Sequence, residues 1–243
     1  VSQIQGPKSL KLLDDLLDTP LKGSFKYFDW EEVSIASEKV IISRTGFTNE
    51  LGWEIYLRPE NNAKKIGDLI LEKGKRMGMM LTASPGFRGR RIEAGLLSAG
   101  RDFTKDRTPF SVGLGKFVNF DKGDFIGRDH LLKASKDCLT WGLRVKNSYA
   151  LVDSDLSINN NKVGKVTSST WSPYQVCGVS IVHMKNNSFG PGTLVDALCE
   201  DGMIHKGEIC NLPMYDSKGN IPRGIIEDVP TGPSPWLGIK KTN

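Results

Sequence analysis

The apolar positions of this chain change their spacing several times, and each change marks a new element. Leu10, Leu13, Leu16 and Leu17 recur at helical spacing behind Pro7, a residue suited to a first helical turn, so a helix is expected there. Alternation follows. Val33 and Ile35, then Val40 and Ile42, alternate about Ser37-Glu38, which predicts a β-hairpin. Trp53 to Leu57 predicts another strand, entered through the turn Thr48-Asn49-Glu50-Leu51-Gly52. Over 62–77, Ala63, Ile66, Leu69, Ile70 and Met77 share one helical face. Ser84-Pro85 announces a further helix with Ile92, Leu96 and Leu97 as its buried stripe. The run Phe110 to Phe120 reads as a strand relieved by Gly113 and Gly115, and Gly127-Arg128-Asp129 leads into a short helix carrying Leu131 and Leu132.

Near Cys138 helical periodicity fades. Short strands are expected over 139–145, 162–168, 176–183, 193–198 and 203–209, a spacing that suits a small barrel or sandwich. Beyond Pro213 the chain is rich in proline and glycine, which predicts a poorly packed tail. The opening Val1-Ser-Gln-Ile-Gln-Gly-Pro-Lys8 reads as the end of a strand entering a helix, so upstream sequence is expected. The pattern as a whole is α+β with a C-terminal β-region.

Composition narrows the function classes. The chain has 243 residues, 38% hydrophobic and 25% charged, enough to bury a real core. Its formal net charge of +5 is mild, and its basic clusters, Lys73 to Arg76 and Arg88 to Arg91, are short. Nucleic-acid binding is not expected, since clustered basic runs with interleaved aromatics are missing. No apolar run approaches the roughly 20 residues of a membrane helix, and no secretory signal opens the sequence. Cys138, Cys177, Cys199 and Cys210 form no Cys-x-x-Cys pair, so they are expected as free thiols in a reducing cytoplasm rather than as zinc ligands.

Generic catalytic motifs are missing too. Gly113-Leu-Gly115-Lys-Phe lacks the third glycine of a dinucleotide fingerprint, and Gly86-Phe-Arg-Gly89-Arg-Arg is no phosphate loop. The three histidines, His130, His183 and His205, are scattered and read as ordinary surface or strand residues. Nothing supports metal catalysis.

Five segments in register nevertheless resemble one family. They are Ile4-Gln-Gly-Pro-Lys8, Arg44-Thr-Gly-Phe-Thr-Asn-Glu-Leu-Gly-Trp-Glu-Ile-Tyr56, Arg91-Ile-Glu-Ala-Gly-Leu-Leu-Ser98, Thr108-Pro-Phe-Ser-Val-Gly-Leu-Gly-Lys116 with Asp124-Phe-Ile-Gly-Arg-Asp129, and Val163-Gly-Lys-Val-Thr-Ser-Ser-Thr-Trp-Ser-Pro173. The resemblance is to the glycine-cleavage T-protein and dimethylsulfoniopropionate demethylase, with the folate-dependent domains of sarcosine and dimethylglycine dehydrogenases. It implies a folate-binding α+β region over 1–137, a β-barrel over 138–225 and an irregular tail over 226–243. It also implies a tetrahydrofolate-dependent transferase with its catalytic aspartate upstream of residue 1.

The site residues implied are these. A carboxylate can accept two adjacent pterin N–H groups in parallel, and the resemblance places that carboxylate at Glu54. Tyr56 shares the strand face of Glu54 by the period of two, and either meets the cofactor or packs across strands. Trp53 and Phe47 are pocket walls or core packing. Arg91 binds a folate glutamyl carboxylate or forms a buried ion pair that holds its helix to the sheet. Arg88 and Arg90 are solvated or meet a folate tail. Trp171 approaches the folate or fills the barrel core.

Two departures bear on the donor. Ala99-Gly100-Arg101-Asp102 replaces the family's tyrosine-glycine-asparagine-aspartate, and Thr48-Asn-Glu-Leu-Gly52 is closer to the demethylase branch than to the T-protein. Methyl transfer from dimethylsulfoniopropionate or a similar donor is therefore the first expectation. It needs alignment more than acid–base help, because the leaving thioether is neutral. The second expectation is aminomethyl transfer with a lipoyl carrier protein as partner. A non-catalytic folate-binding protein is a third, although the cysteine-bearing motif of such relatives is missing. A fragment that folds but binds nothing alone is a fourth.

Overall fold

A computed structural model describes residues 1–21, 25–82, 84–226 and 232–238. The chain divides into two compact units, residues 1–87 with 216–231, and residues 88–215 with 232–243. The architecture is α+β, as the pattern predicts.

The first unit is a four-stranded antiparallel sheet backed by two helices. Its elements are β1 (Ser2–Gln5), α1 (Ser9–Leu16), β2 (Trp30–Ile35), β3 (Glu38–Ser43), β4 (Gly52–Tyr56) and α2 (Ala63–Arg76), in the sheet order β1-β4-β3-β2. The helical spacing of the leucines turns Leu12, Leu13 and Leu16 toward Ile35, Val40, Ile42, Trp53 and Ile55, and Ile66 and Ile70 of α2 complete the core. Burying each such side chain contributes roughly 1.5–3 kcal/mol. Asn62 caps α2 by accepting from Lys65 N–H at 3.0 Å, and Lys73, Lys75 and Arg76 lie in its last turn, where the helix dipole favours cations. The β2–β3 hairpin turns at Ala36-Ser37, one residue earlier than the sequence indicated. Both residues have positive φ, and the Asp18 carboxylate accepts from their two N–H groups at 3.1 and 2.7 Å. That carboxylate compensates for the lack of glycine in a turn that favours it.

The second unit is built on a closed six-stranded barrel. Its strands are β5 (Thr140–Val145), β6 (Asp155–Ile158), β7 (Asn161–Ser172), β8 (Cys177–Met184), β9 (Leu194–Leu198) and β10 (Ile204–Cys210), closing in the order β10-β5-β8-β7-β6-β9. Closure removes sheet edges. The interior is filled by Leu143, Val145, Leu156, Val166, Val182, Met184, Val195 and Ile209. β8 is buried on both faces, because Cys177, Val179 and Ile181 pack outside the barrel against Ile92.

Ile92 belongs to α3 (Ser84–Glu93). That helix stops short of Leu96 and Leu97, contrary to the expected stripe, and Gly95 takes φ +68° just beyond it. The expected strand over Phe110–Phe120 is also absent. The segment forms turns and a single 3-10 turn at Gly115–Phe117, with Gly113 at φ +76°. Aromatic residues mimicked a strand, but the glycines serve turns instead. The short helix after Gly127 is α4 (Arg128–Lys133).

Within the C-terminal segment, residues 227–231 and 239–243 lie outside the described residues. Residues 232–238 are irregular but docked: Ser234 N–H donates to Tyr174 O at 2.7 Å, Trp236 N–H donates to Gln175 O at 2.7 Å, and Trp236 packs against the cluster of Ile92, Cys177, Val179 and Ile181. No helix among the described residues is long and apolar enough to cross a membrane. All four cysteines are free thiols, three of them buried.

Candidate functional site

β4 is the strand that builds the site. Alternation turns Trp53 and Ile55 into the helix-facing core and leaves Glu54 and Tyr56 on the other face. Register then decides the neighbours of Glu54. Antiparallel pairing sets Gln3 of β1 on one side of it and Ser43 of β3 on the other. The carboxylate accepts from Gln3 Nε2 at Oε1 (2.8 Å), and from the Thr45 and Tyr56 hydroxyls at Oε2, the latter at 3.2 Å. Since Thr45 spends its proton on Glu54, its 2.9 Å bond with Ser43 has Ser43 as donor. The Tyr56 phenol is held above its ordinary pKa by loss of solvation first, then by the charge of Glu54 and the bond to it, with Thr45 acting the other way. Tyr56 is therefore a neutral donor at physiological pH.

The turn ahead of β4 is pinned by Gln5. Its amide oxygen accepts from the Thr48 hydroxyl at 2.8 Å. A Cβ placed on Gly46 or Gly52 would lie 2.2 or 2.3 Å from that amide, so a side chain at either position would displace it.

Glu54 and Tyr56 open on a cavity of about 970 Å³ that follows the edge strand β1, with Leu71, Met79, Met80, Leu81 and Phe87 among its apolar walls. That volume lies at the upper end of the roughly 300–1,000 Å³ of small-molecule sites, and so does the mixture of apolar wall with a few polar groups. Among the described residues no cluster of three His, Cys, Asp or Glu side chains could hold a metal ion.

The other residues singled out by sequence have the following surroundings, each within its own unit. Trp53 is 1% exposed behind the sheet, its ring tilted at 54° to that of Phe25 with centroids 5.2 Å apart. Phe47 is half exposed in the turn. Trp171 lies in the second unit on β7, 36% exposed, so it is not in the barrel core. Arg91 forms the buried ion pair that sequence left open as an alternative. It donates to Asp102 at 2.6 Å, to Leu96 O at 2.7 Å and to Ser168 at 2.8 Å. Arg90 bonds Glu93 at 2.7 Å and lies over the rings of Tyr174 and Tyr215. Burial raises the pKa of Glu93, while Ser172, Arg90 and Arg144 oppose the shift. Gln3, Thr45 and Gln5 are the polar partners that sequence reading missed. A glutamine in an edge strand carries no signal of its own until the pairing register is known.

Comparison with known proteins decides the family. Residues 1–122, half of the chain, match the family model described as the GCVT N-terminal domain. The chain belongs to the glycine-cleavage T-protein family. Similar curated proteins include the aminomethyltransferase of Caldanaerobacter subterraneus subsp. tengcongensis, 37% identical over 70% of this chain and 46% of that protein. The aminomethyltransferase of Halothermothrix orenii is 31% identical over 86% of this chain and 59% of its own length. A solved glycine cleavage system aminomethyltransferase T from Bartonella henselae superposes with a TM-score of 0.75 at 25% identity, covering 88% of this chain and 59% of that one. This T-protein family member thus spans about half the length of the curated relatives it matches, and the likeness extends through its barrel.

Proposed function

We propose that this chain holds the tetrahydrofolate of a one-carbon transferase, with Glu54 as the group that fixes the pterin ring. The observation that carries the reading is the Glu54 carboxylate, set in the wall of a large apolar-walled cavity with neutral donors as its protein partners. A ring edge with adjacent N–H donors gains two charge-assisted bonds there, while its flat faces meet the apolar walls. Tyr56 stands at the same edge, and Trp53 supports β4 from behind. Trp171 and Arg91 belong to the second unit, where Arg91 secures α3 through Asp102.

For the donor, the names of the similar proteins favour an aminomethyl group, and on that reading a lipoyl carrier protein is the partner that delivers it. A second reading, methyl transfer from dimethylsulfoniopropionate, is favoured by the departures at Ala99 to Asp102 and at Thr48 to Gly52. Of the first group, Asp102 serves the buried ion pair and Arg101 is exposed. A cytoplasmic setting, in keeping with four free thiols, completes the reading.

Titration calorimetry with tetrahydrofolate tests it. Saturable binding that Glu54→Gln weakens by more than about tenfold, or 1.4 kcal/mol, is expected. Equal binding by both proteins, or none by either, removes Glu54 as the pterin ligand. Supplying the lipoyl carrier or dimethylsulfoniopropionate and identifying the products then separates the two donors.

A further inference from the structure

The donors already on Glu54 impose a condition on any ligand that uses it. A carboxylate has about four acceptor directions, two on each oxygen. Gln3 fills one on Oε1, and Thr45 and Tyr56 fill both on Oε2. A ring that presents two N–H groups in parallel needs one open direction on each oxygen. Among the described residues Oε1 retains one and Oε2 retains none, so a resident donor must leave Oε2 when such a ring arrives.

The two candidates differ in what they lose. Thr45 is the closer donor, it is half-buried, and its oxygen is held in turn by Ser43 at 2.9 Å. Tyr56 makes the longer bond, at 3.2 Å, and is 38% exposed. Water can take over the donation of an exposed hydroxyl at little cost, whereas a half-buried hydroxyl stripped of its acceptor loses more. A tyrosine also swings clear by side-chain rotation alone, leaving the backbone of β4 in place. We propose that the Tyr56 hydroxyl is a displaceable cap on Glu54. It satisfies the carboxylate while the site is empty and yields its place to the second N–H of the ligand. The cap rests on the reading of Glu54 as a two-donor acceptor. It also makes Tyr56 a competitor of the ligand, and a tuner of its affinity, rather than a direct anchor.

Tyr56→Phe and a tyrosine label test this on the full chain. In Tyr56→Phe, tetrahydrofolate is expected to bind two- to tenfold more tightly, the range that follows from removing one ordinary competing hydrogen bond. With [13Cζ]tyrosine, the Tyr56 resonance, assigned by its loss in Tyr56→Phe, is expected to move on adding tetrahydrofolate toward its position in Glu54→Ala, where the hydroxyl is uncapped. Weaker or unchanged binding by Tyr56→Phe, or a Tyr56 resonance that stays in place in saturated protein, overturns the cap while leaving the folate reading intact. If tetrahydrofolate fails to bind, the folate reading falls, and guanidinium ion, the smallest pair of parallel donors, takes its place as probe. Sub-denaturing guanidinium chloride, compared with equal sodium chloride, then shifts the Tyr56 resonance if the cap is real and leaves it still if it is not.

Discussion

Two carboxylates, one in each unit, are wired in opposite ways. Asp102 of the second unit is 2% exposed and its four acceptor directions are filled, by Arg91 and Ser98 N–H on Oδ2 and by Thr167 and Ser168 on Oδ1. One of those partners is a cation, so the charge is balanced inside the fold. Glu54 of the first unit is half-buried beside a cavity and accepts from an amide and two hydroxyls, all neutral. Among the described residues no cation pairs with it. The closed group is spent on stability, because any change leaves a buried charge unmatched. The open group keeps an acceptor direction on Oε1 beside the cavity.

The contrast is broken most directly at Asp102. Asp102→Asn, or Arg91→Met, is expected to cost about 3–5 kcal/mol, the usual result of removing one partner from a buried ion pair. Chemical denaturation measures it, and a loss under about 1 kcal/mol would show that the pair does not hold the fold.

A second closed group should express itself through pH. Burial, aided by the positive charge of Arg107, lowers the pKa of His183 to about 4, and its Nδ1 shares a 3.0 Å bond with Thr140. The unfolded chain takes up a proton near pH 6.5 that the folded one resists. Stability is therefore full above about pH 6.5, falls by roughly 1–3 kcal/mol as pH drops toward 4, and levels below that. His183→Gln should flatten this acid limb. A limb of unchanged slope would assign it to other groups.

At the open site the order of effects reverses. Glu54→Gln is expected to change folding stability by less than about 1 kcal/mol, because an accessible group bonded to neutral donors can be replaced by an amide of the same shape. If it destabilises as much as Asp102→Asn, the distinction between the two carboxylates fails. A similarly small effect is expected at Gln3→Ala, about 0.5–1 kcal/mol in stability for one lost hydrogen bond on an edge strand. Tetrahydrofolate binding should then tighten or stay level, since a second acceptor direction on Oε1 is opened.

Much of the scaffold is legible in the sequence. The 3.6-residue spacing of Leu13, Leu16, Ile66 and Ile70 marks two helices whose buried faces the structure confirms, and alternation at Val33, Ile35, Val40 and Ile42 marks the hairpin between them. The reading failed where composition imitates periodicity. Phe110 to Phe120 has the aromatics of a strand, yet it forms turns and a 3-10 turn around Gly113 and Gly115. It also missed β6, whose four residues are too few to show a period and which exists because closure needs a strand between β7 and β9. In the candidate site, Glu54 and Tyr56 stand in a family-like motif and alternation places them on one face of β4. Their partners are not legible there, since Gln3 lies 51 residues from Glu54 and meets it only through the register of β1 on β4.

The sequence by itself determined what is local: which segments are helical or extended, which face of each is apolar, and the ordered motifs that mark the family. Tertiary structure decided what depends on partners distant in the chain. Arg91 and Glu54 are both charged residues inside family motifs, and nothing in their spacing separates them. Burial and pairing do, by closing Arg91 and Asp102 against one another and leaving the Glu54 carboxylate facing a cavity. A charge becomes structural or functional according to whether the fold supplies its counter-charge, and that is settled only when distant strands meet.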